Sequence, residues 1–203
     1  MEYKIDLTAI KIAVVGDSFV GKSVILNSYI SGEPKLDANT IIGDRLNIKF
    51  KLKNGKEIKL VLIDTAGQER FRSSVLRCSK SCHGVILIFS LTDKNSFENI
   101  INWMRCLEDE GIKAYAIFGN KSDMIDNRII NSEEARCMAE KLGLAYFETS
   151  CKTREGIEEG FTFVANEIYE KLESKRNNNI NLEDKKMEKD SNSNCAGKKK
   201  NKK

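Results

Sequence analysis

Short apolar runs recur along the chain between stretches of mixed polarity. Ile10 to Val15, Gly84 to Phe89, Ala114 to Phe118 and Ala145 to Phe147 are too short for helices and apolar at nearly every position, the pattern of strands buried on both faces of a parallel sheet. Leu46 to Leu52 alternates apolar and polar residues, Asn54-Gly55 supplies a hairpin turn, and Glu57 to Ile63 returns as a second strand, so this pair forms the antiparallel part of the sheet. Helices are expected from Lys22 to about Ile30, from Ser96 to Asp109 with Gly111 as a stop, from Ser132 with Glu133 and Glu134 to Leu142, and from Glu155 to Leu172. Asp64 to Cys82 carries only a weak helical pattern. Residues 31–45 contain Gly32, Pro34, Asp37 and Asn39, show neither period, and read as a long functional loop. This order predicts an α/β domain: a mostly parallel six-stranded sheet with one antiparallel strand, helices on both faces, and ligands at the carboxyl ends of the strands.

The polar motifs fall at those strand ends. Gly16-Asp17-Ser18-Phe19-Val20-Gly21-Lys22-Ser23 leaves the first strand and opens the first helix, before Val24, Ile25 and Leu26. Small residues at the bends let successive backbone N–H groups turn inward on a polyphosphate, and the helix N-terminus adds its uncommitted amides and positive dipole end. Lys22 reaches the terminal phosphates, and the Ser23 hydroxyl suits a magnesium ion. The expected ligand is a Mg2+-nucleotide, and the loop by itself does not distinguish ATP from GTP.

After the third strand stand Asp64-Thr-Ala-Gly67-Gln68-Glu69-Arg70-Phe71. The aspartate can hold magnesium through water, Gly67 can bring its amide to a terminal phosphate, and Gln68 is the type of group that orients an attacking water. After the fifth strand, Asn120-Lys121-Ser122-Asp123 presents a carboxylate able to accept both N–H donors of guanine, a pattern adenine lacks, and a buried hydrogen-bonding acid rejects the wrong base strongly. The stem of Lys121 can lie along one face of the base. Glu148-Thr-Ser-Cys-Lys152 completes the pocket, with the backbone amides of Ser150, Cys151 and Lys152 facing the guanine oxygen.

Four such motifs in this order make the chain resemble the Ras-like small GTPases, with a P-loop G domain, and within them the Rab family. The resemblance covers Ile10 to Leu172; its Rab character comes from Gln68-Glu-Arg-Phe-Arg72, His83-Gly84 and Thr92-Asp-Lys-Asn-Ser-Phe97. It implies a GTP/GDP switch with slow GTP hydrolysis. Thr40 and Gly67 contact the γ-phosphate side in the GTP state, with Ser23, Thr40 and Asp64 serving magnesium, Gln68 positions water, and both loops relax after hydrolysis. It also implies an exchange factor, a GTPase-activating protein, effector proteins, a monomer, and a role in vesicle traffic. The alternative, from another class, is a nucleotide-dependent scaffold with little hydrolysis. Where Rab proteins usually show Thr-Ile-Gly-Val-Asp-Phe, this chain has Thr40-Ile-Ile-Gly-Asp-Arg45; their tryptophan before Asp-Thr-Ala-Gly is Ile63, their tyrosine pair is Cys78-Ser79, and Phe19 stands where glycine is common. These departures predict an unusual effector set.

Composition adds a tail. Ten of the 34 Lys and Arg and five of the 30 Asp and Glu lie from Glu173 onward, leaving 24 basic against 25 acidic residues before it. The G domain, residues 1–172, is thus near neutral and offers no nucleic-acid-binding face. Residues 173–203, rich in Lys and Asn and poor in apolar residues, are expected to be disordered. Their lysines favour weak contact with an anionic membrane, but Cys195 is followed by Ala-Gly and six further residues, so no prenylation ending is formed. Six scattered cysteines without metal-ligand spacing and no apolar leader before the first strand point to reduced thiols in the cytoplasm, with the protein peripheral on an intracellular membrane. His83 and Trp103 read as structural.

Overall fold

The computed structural model describes residues 6–33, 45–65 and 72–196, with Arg72 and residues 179–196 as backbone only. Thr40, Gly67 and Gln68 lie outside the described residues. The chain divides into two units, one spanning Thr8–Ile168 and the other taking the residues on either side of it.

Within Thr8–Ile168, six strands form one sheet: β1 (Ala9–Val15), β2 (Arg45–Lys51), β3 (Glu57–Asp64), β4 (Gly84–Ser90), β5 (Ala114–Asn120) and β6 (Ala145–Thr149), in the order β2-β3-β1-β4-β5-β6. Only β2 runs antiparallel, paired with β3 from Arg45 opposite Ile63 to Lys51 opposite Glu57. The other five are parallel, so the carboxyl ends of β1, β3, β5 and β6 emerge on one edge. β4 and β5 are buried at every position, as their unbroken apolar runs require.

The helices are α1 (Lys22–Ser31), α2 (Arg72–Lys80), α3 (Lys94–Glu98), α4 (Ile100–Asp109), α5 (Ser132–Lys141) and α6 (Ile157–Ala196). Val75 of α2, Trp103 and Leu107 of α4 and Ala135 and Ala139 of α5 pack with Ala13, Val15, Val85, Leu87 and Phe89 in one core cluster. On the other side, Phe161 of α6 stacks on Tyr29 of α1 at 4.4 Å between centroids and meets Phe118 of β5 edge-on at 5.5 Å. Both faces of the sheet are therefore covered, as the pattern predicts.

Two local details differ from the sequence expectation and one adds to it. The helix expected over Ser96 to Asp109 starts at Lys94, capped by Asp93 on the Asn95 amide, and breaks at Asn99, which ends α3 and begins α4. α5 starts at Ser132 as expected and is capped by Asn131, whose Oδ1 accepts from the Glu134 amide at 2.8 Å, while Ser132 Oγ accepts from Arg128. α6 continues to Ala196 rather than ending near Leu172, so its backbone is helical where disorder is expected. Lys and Glu are good helix formers and allow this continuation, although the buried residues Ile157, Phe161, Val164, Ala165 and Ile168 all lie in its first part. No helix among the described residues is long and apolar enough to cross a membrane.

Replacing Asn131 by alanine is expected to lower the unfolding free energy by about 1 kcal/mol in urea titration, the usual cost of a lost N-cap; an unchanged midpoint would show the cap contributes nothing.

Candidate functional site

The first loop owes its path to two positions that tolerate no side chain. A Cβ on Gly16 would lie 2.0 Å from the Ile88 carbonyl oxygen of β4, and one on Gly21, at φ 101°, would lie 2.3 Å from Asn120 Nδ2. Gly21 thus lets Asn120 donate to the Val20 carbonyl at 2.8 Å, tying the loop after β5 to the loop after β1. Asn120 is 1% exposed and its Oδ1 accepts from Thr149 Oγ1 at 3.3 Å and from Cys151 Sγ at 3.7 Å. One carboxamide joins three strand-end loops.

Beneath the loop, α1 begins at Gly21 with no side-chain cap, so the first-turn amides around Lys22, Ser23 and Val24 meet no capping side chain. Lys22 is 6% exposed; its Nζ donates to the carbonyls of Gly16 at 3.0 Å and Asp17 at 2.6 Å. Burial pushes its pKa down to about 8, against the attraction of Asp64 and Asp17. An uncapped helix start beside a desolvated cation is a site that favours an anion. Ser23 Oγ donates to Asp64 Oδ2 at 2.5 Å, and Asp64 is fully buried at the end of β3. This alcohol and carboxylate are the hard oxygen donors that Mg2+ takes, and Mg2+ is ordinarily held by one or two protein groups with water and substrate phosphates rather than by a protein cage. The residues present fit the ion. Thr65 ties the same strand ends together, donating to the Val14 carbonyl at 2.6 Å.

On the base side, Lys121 takes a left-handed conformation at φ 69°, reversing the chain toward Asp123, while the Ser122 amide donates to the Thr149 carbonyl at 3.1 Å. Asp123 Oδ1 accepts from Ser150 Oγ at 2.6 Å, so the loop after β5 and the loop after β6 are brought together. Of the three amides expected to face a base oxygen, that of Ser150 donates to Glu155 and that of Lys152 to Ser150 Oγ, leaving the Cys151 amide as the one without such a bond among the described residues. Cys151 is buried with its thiol pushed up to about 11 by burial, so it is a packing residue and not a nucleophile.

Phe19 stands 93% exposed at φ 63°. A left-handed conformation costs a residue with a Cβ roughly 1–2 kcal/mol, which is the physical reason glycine suits that position. Asp17 presents only its backbone to the loop; its Oδ1 accepts from Asn99 Nδ2 at 2.6 Å and Trp103 Nε1 at 2.7 Å. His83 is structural, as expected: its Nδ1 accepts from the Lys11 amide at 3.0 Å. Sequence reasoning missed Arg128, which holds Glu148 through two hydrogen bonds of 2.6 and 2.8 Å while also bonding Ile130 O and Ser132 Oγ. Glu148 sits in the expected motif, but its partner lies in an irregular turn after the short 3-10 turn Ile125–Asn127, where no period marks it.

Comparison with known proteins identifies this arrangement. The family model described as "Ras family" matches residues 11–170. The chain belongs to the Ras family. It is 37% identical over 161 residues to Ras-related protein RGP2 of Oryza sativa subsp. japonica, covering 78% of this chain and 74% of that one. Ras-related protein RABD1 of Arabidopsis thaliana is 34% identical over 172 residues, 83% of each chain, and Ras-related protein Rab-8B of Homo sapiens 37% over 174 residues, 82% of each. Within the Ras family the similarity is to Rab proteins, so the chain is a small GTPase of Rab type.

The hydrogen bonds from Arg128 first of all hold the Glu148 carboxyl below the usual carboxylate range. Its stabilisation is fully present above the unfolded-state value near 4.3 and is lost as pH falls through the lower folded value, so wild type should lose more stability than Glu148→Gln as pH is lowered from about 6 to below about 4 in urea titrations. Parallel pH profiles would show that the ion pair adds no stability.

Proposed function

We propose that this protein is a guanine-nucleotide switch that holds GTP or GDP with Mg2+, hydrolyses GTP slowly to GDP, and serves Rab-like control of vesicle traffic. The observation that supports this best is the buried Lys22. Its lowered pKa corresponds to a cost of roughly 3 kcal/mol for keeping the amine charged at neutral pH, a cost that a polyphosphate against the same amine would offset. A carbonyl pair satisfies its hydrogen bonds, and the attraction of Asp64 and Asp17 offsets only part of the burial cost.

In this reading the loop of Asp17, Ser18, Phe19, Val20, Gly21, Lys22, Ser23 and Val24 wraps the phosphates with its backbone. Bound Mg2+ would neutralise charge on the phosphate oxygens, with Ser23 and Asp64 as its protein ligands and Thr40 joining them in the GTP state. Asp123 exchanges the Ser150 hydroxyl for the guanine N–H donors, Lys121 lies along the base, and Ser150, Cys151 and Lys152 close over it. The roles of Thr40, Gly67 and Gln68 rest on the family resemblance; Gln68 orients the attacking water. An exchange factor, a GTPase-activating protein and effectors set the timing, the protein acts as a monomer, and residues 173–203 tether the G domain weakly to an anionic membrane from the cytoplasm. Arg45 and Cys78, exposed where the family usually has aromatic residues, favour an unusual effector set.

Nucleotide extracted from the purified protein is expected to be guanine nucleotide, and Asp123→Ala to weaken GDP binding by about a hundredfold or more without creating a preference for adenine; adenine nucleotide in the extract would end the proposal. Lys22→Met should raise the melting temperature of the nucleotide-free protein while abolishing the further rise on adding Mg2+-GDP, because it removes a buried charge and its counter-ligand together. In single-turnover assays Gln68→Leu should slow phosphate release by roughly tenfold or more, whereas equal and negligible rates in both proteins would favour the scaffold over the hydrolase.

A further inference from the structure

The first turn of α4 is fastened to the phosphate loop by a clamp on a single oxygen atom. Asp17 Oδ1 accepts both from Asn99 Nδ2 at 2.6 Å and from Trp103 Nε1 at 2.7 Å. Trp103 is the only tryptophan in the chain; it is wholly buried in the core cluster, with its indole N–H turned out of that cluster to the loop. Asn99 can reach Asp17 because the chain breaks there between α3 and α4, and its own Oδ1 is held in turn by Asn102 Nδ2 at 2.8 Å. On the other side of Asp17, the backbone carbonyl accepts from Lys22 Nζ at 2.6 Å. The core, the helix junction, Asp17 and the phosphate-facing lysine are thus linked in series.

We propose that Asn99 and Trp103 are positioning residues for nucleotide retention: by holding the Asp17 carboxylate they fix the peptide whose carbonyl orients Lys22. The proposal rests on the guanine-nucleotide reading above. Its physical basis is twofold. Hydrogen bonds to an ionised acceptor are stronger than neutral ones and are strengthened further away from water, so the clamp is stiff. A loop already held in its binding conformation also loses less freedom when ligand arrives, which slows release more than it speeds capture. A buried indole N–H requires a partner in any case; here that partner is a residue of the phosphate loop instead of a core carbonyl.

The test is the release rate of N-methylanthraniloyl-GDP from the full chain in Mg2+, chased with excess unlabelled GDP. Trp103→Phe, which keeps an aromatic ring in the core but removes the donor, and Asn99→Ala, at the half-buried helix junction, should each speed release by about three- to thirtyfold. Asp17→Ala should do at least as much, and adding Trp103→Phe to it should change the rate by less than about twofold, because the partner is already gone. Asp17→Asn keeps an acceptor oxygen and should recover most of the slow release. Unchanged release in both Trp103→Phe and Asn99→Ala would overturn the proposal. So would an equal acceleration by Trp103→Phe with and without Asp17, since that would mean packing alone is at work. If wild type itself retains no guanine nucleotide while remaining folded, the functional reading fails first and the clamp with it; retention by wild type with indifferent variants removes the clamp alone.

Discussion

Three loops that leave three different strands are held in register by the carboxamide of Asn120. Its nitrogen serves the Val20 carbonyl in the loop after β1, and its oxygen takes the Thr149 hydroxyl and the Cys151 thiol at the end of β6. Such a bond network at 1% exposure is worth more than its members in water, because each polar group would be costly to leave unpaired there. The constraint propagates backward into the sequence: position 21 must lack a Cβ, since that atom would occupy the place of the Asn120 amide. The phosphate side and the base side are one structural unit for this reason, although a hundred residues separate them.

Against that rigid frame stands a site under electrostatic tension. Lys22 is buried with only carbonyl partners at its amine, Asp64 is buried with a serine hydroxyl, and Asp123 is satisfied by Ser150. Each of these contacts satisfies a hydrogen bond, and the attraction between Lys22 and Asp64 offsets only part of the cost of burying the amine. Phosphate, a divalent cation and the donors of guanine would each complete one of them. The arrangement therefore links folding to ligand binding, and stability should follow nucleotide by mass action.

The sheet was legible because its signal is an unbroken one: four apolar runs, a period-two hairpin and turn residues between them fixed β1 to β6 to within a residue or two. The loop motifs were legible because their chemistry requires residue types at fixed spacing. What escaped was anything decided by contacts distant in sequence. Asn131 caps α5 while Arg128 bonds both Ser132 and Glu148, twenty residues on, and neither contact has a sequence signal. Trp103 looks like a packing residue from its spacing and is one; only the fold shows that its N–H points at Asp17. The continuation of α6 past Leu172 follows propensity rather than any apolar face, and a reading based on burial does not see it.

The departures from the Rab pattern divide by depth once the fold is known. Ile63 is 3% exposed and Ser79 fully buried, so at these two positions the departure lies in the interior and not on the surface. Arg45 and Cys78 are exposed, and Arg45 lies on the outermost strand with Lys49 and Lys51 alternating on the same exposed side. An aromatic ring there would offer apolar area, whereas a row of cations on an edge strand resists pairing with a further strand and favours acidic neighbours. A surface built to receive a ring would have to desolvate a guanidinium instead, which costs more than the lost contact itself. Arg45 thus adds charge to an edge that already carries Lys49 and Lys51, and this charge, more than the missing aromatic area, sets what the face can receive.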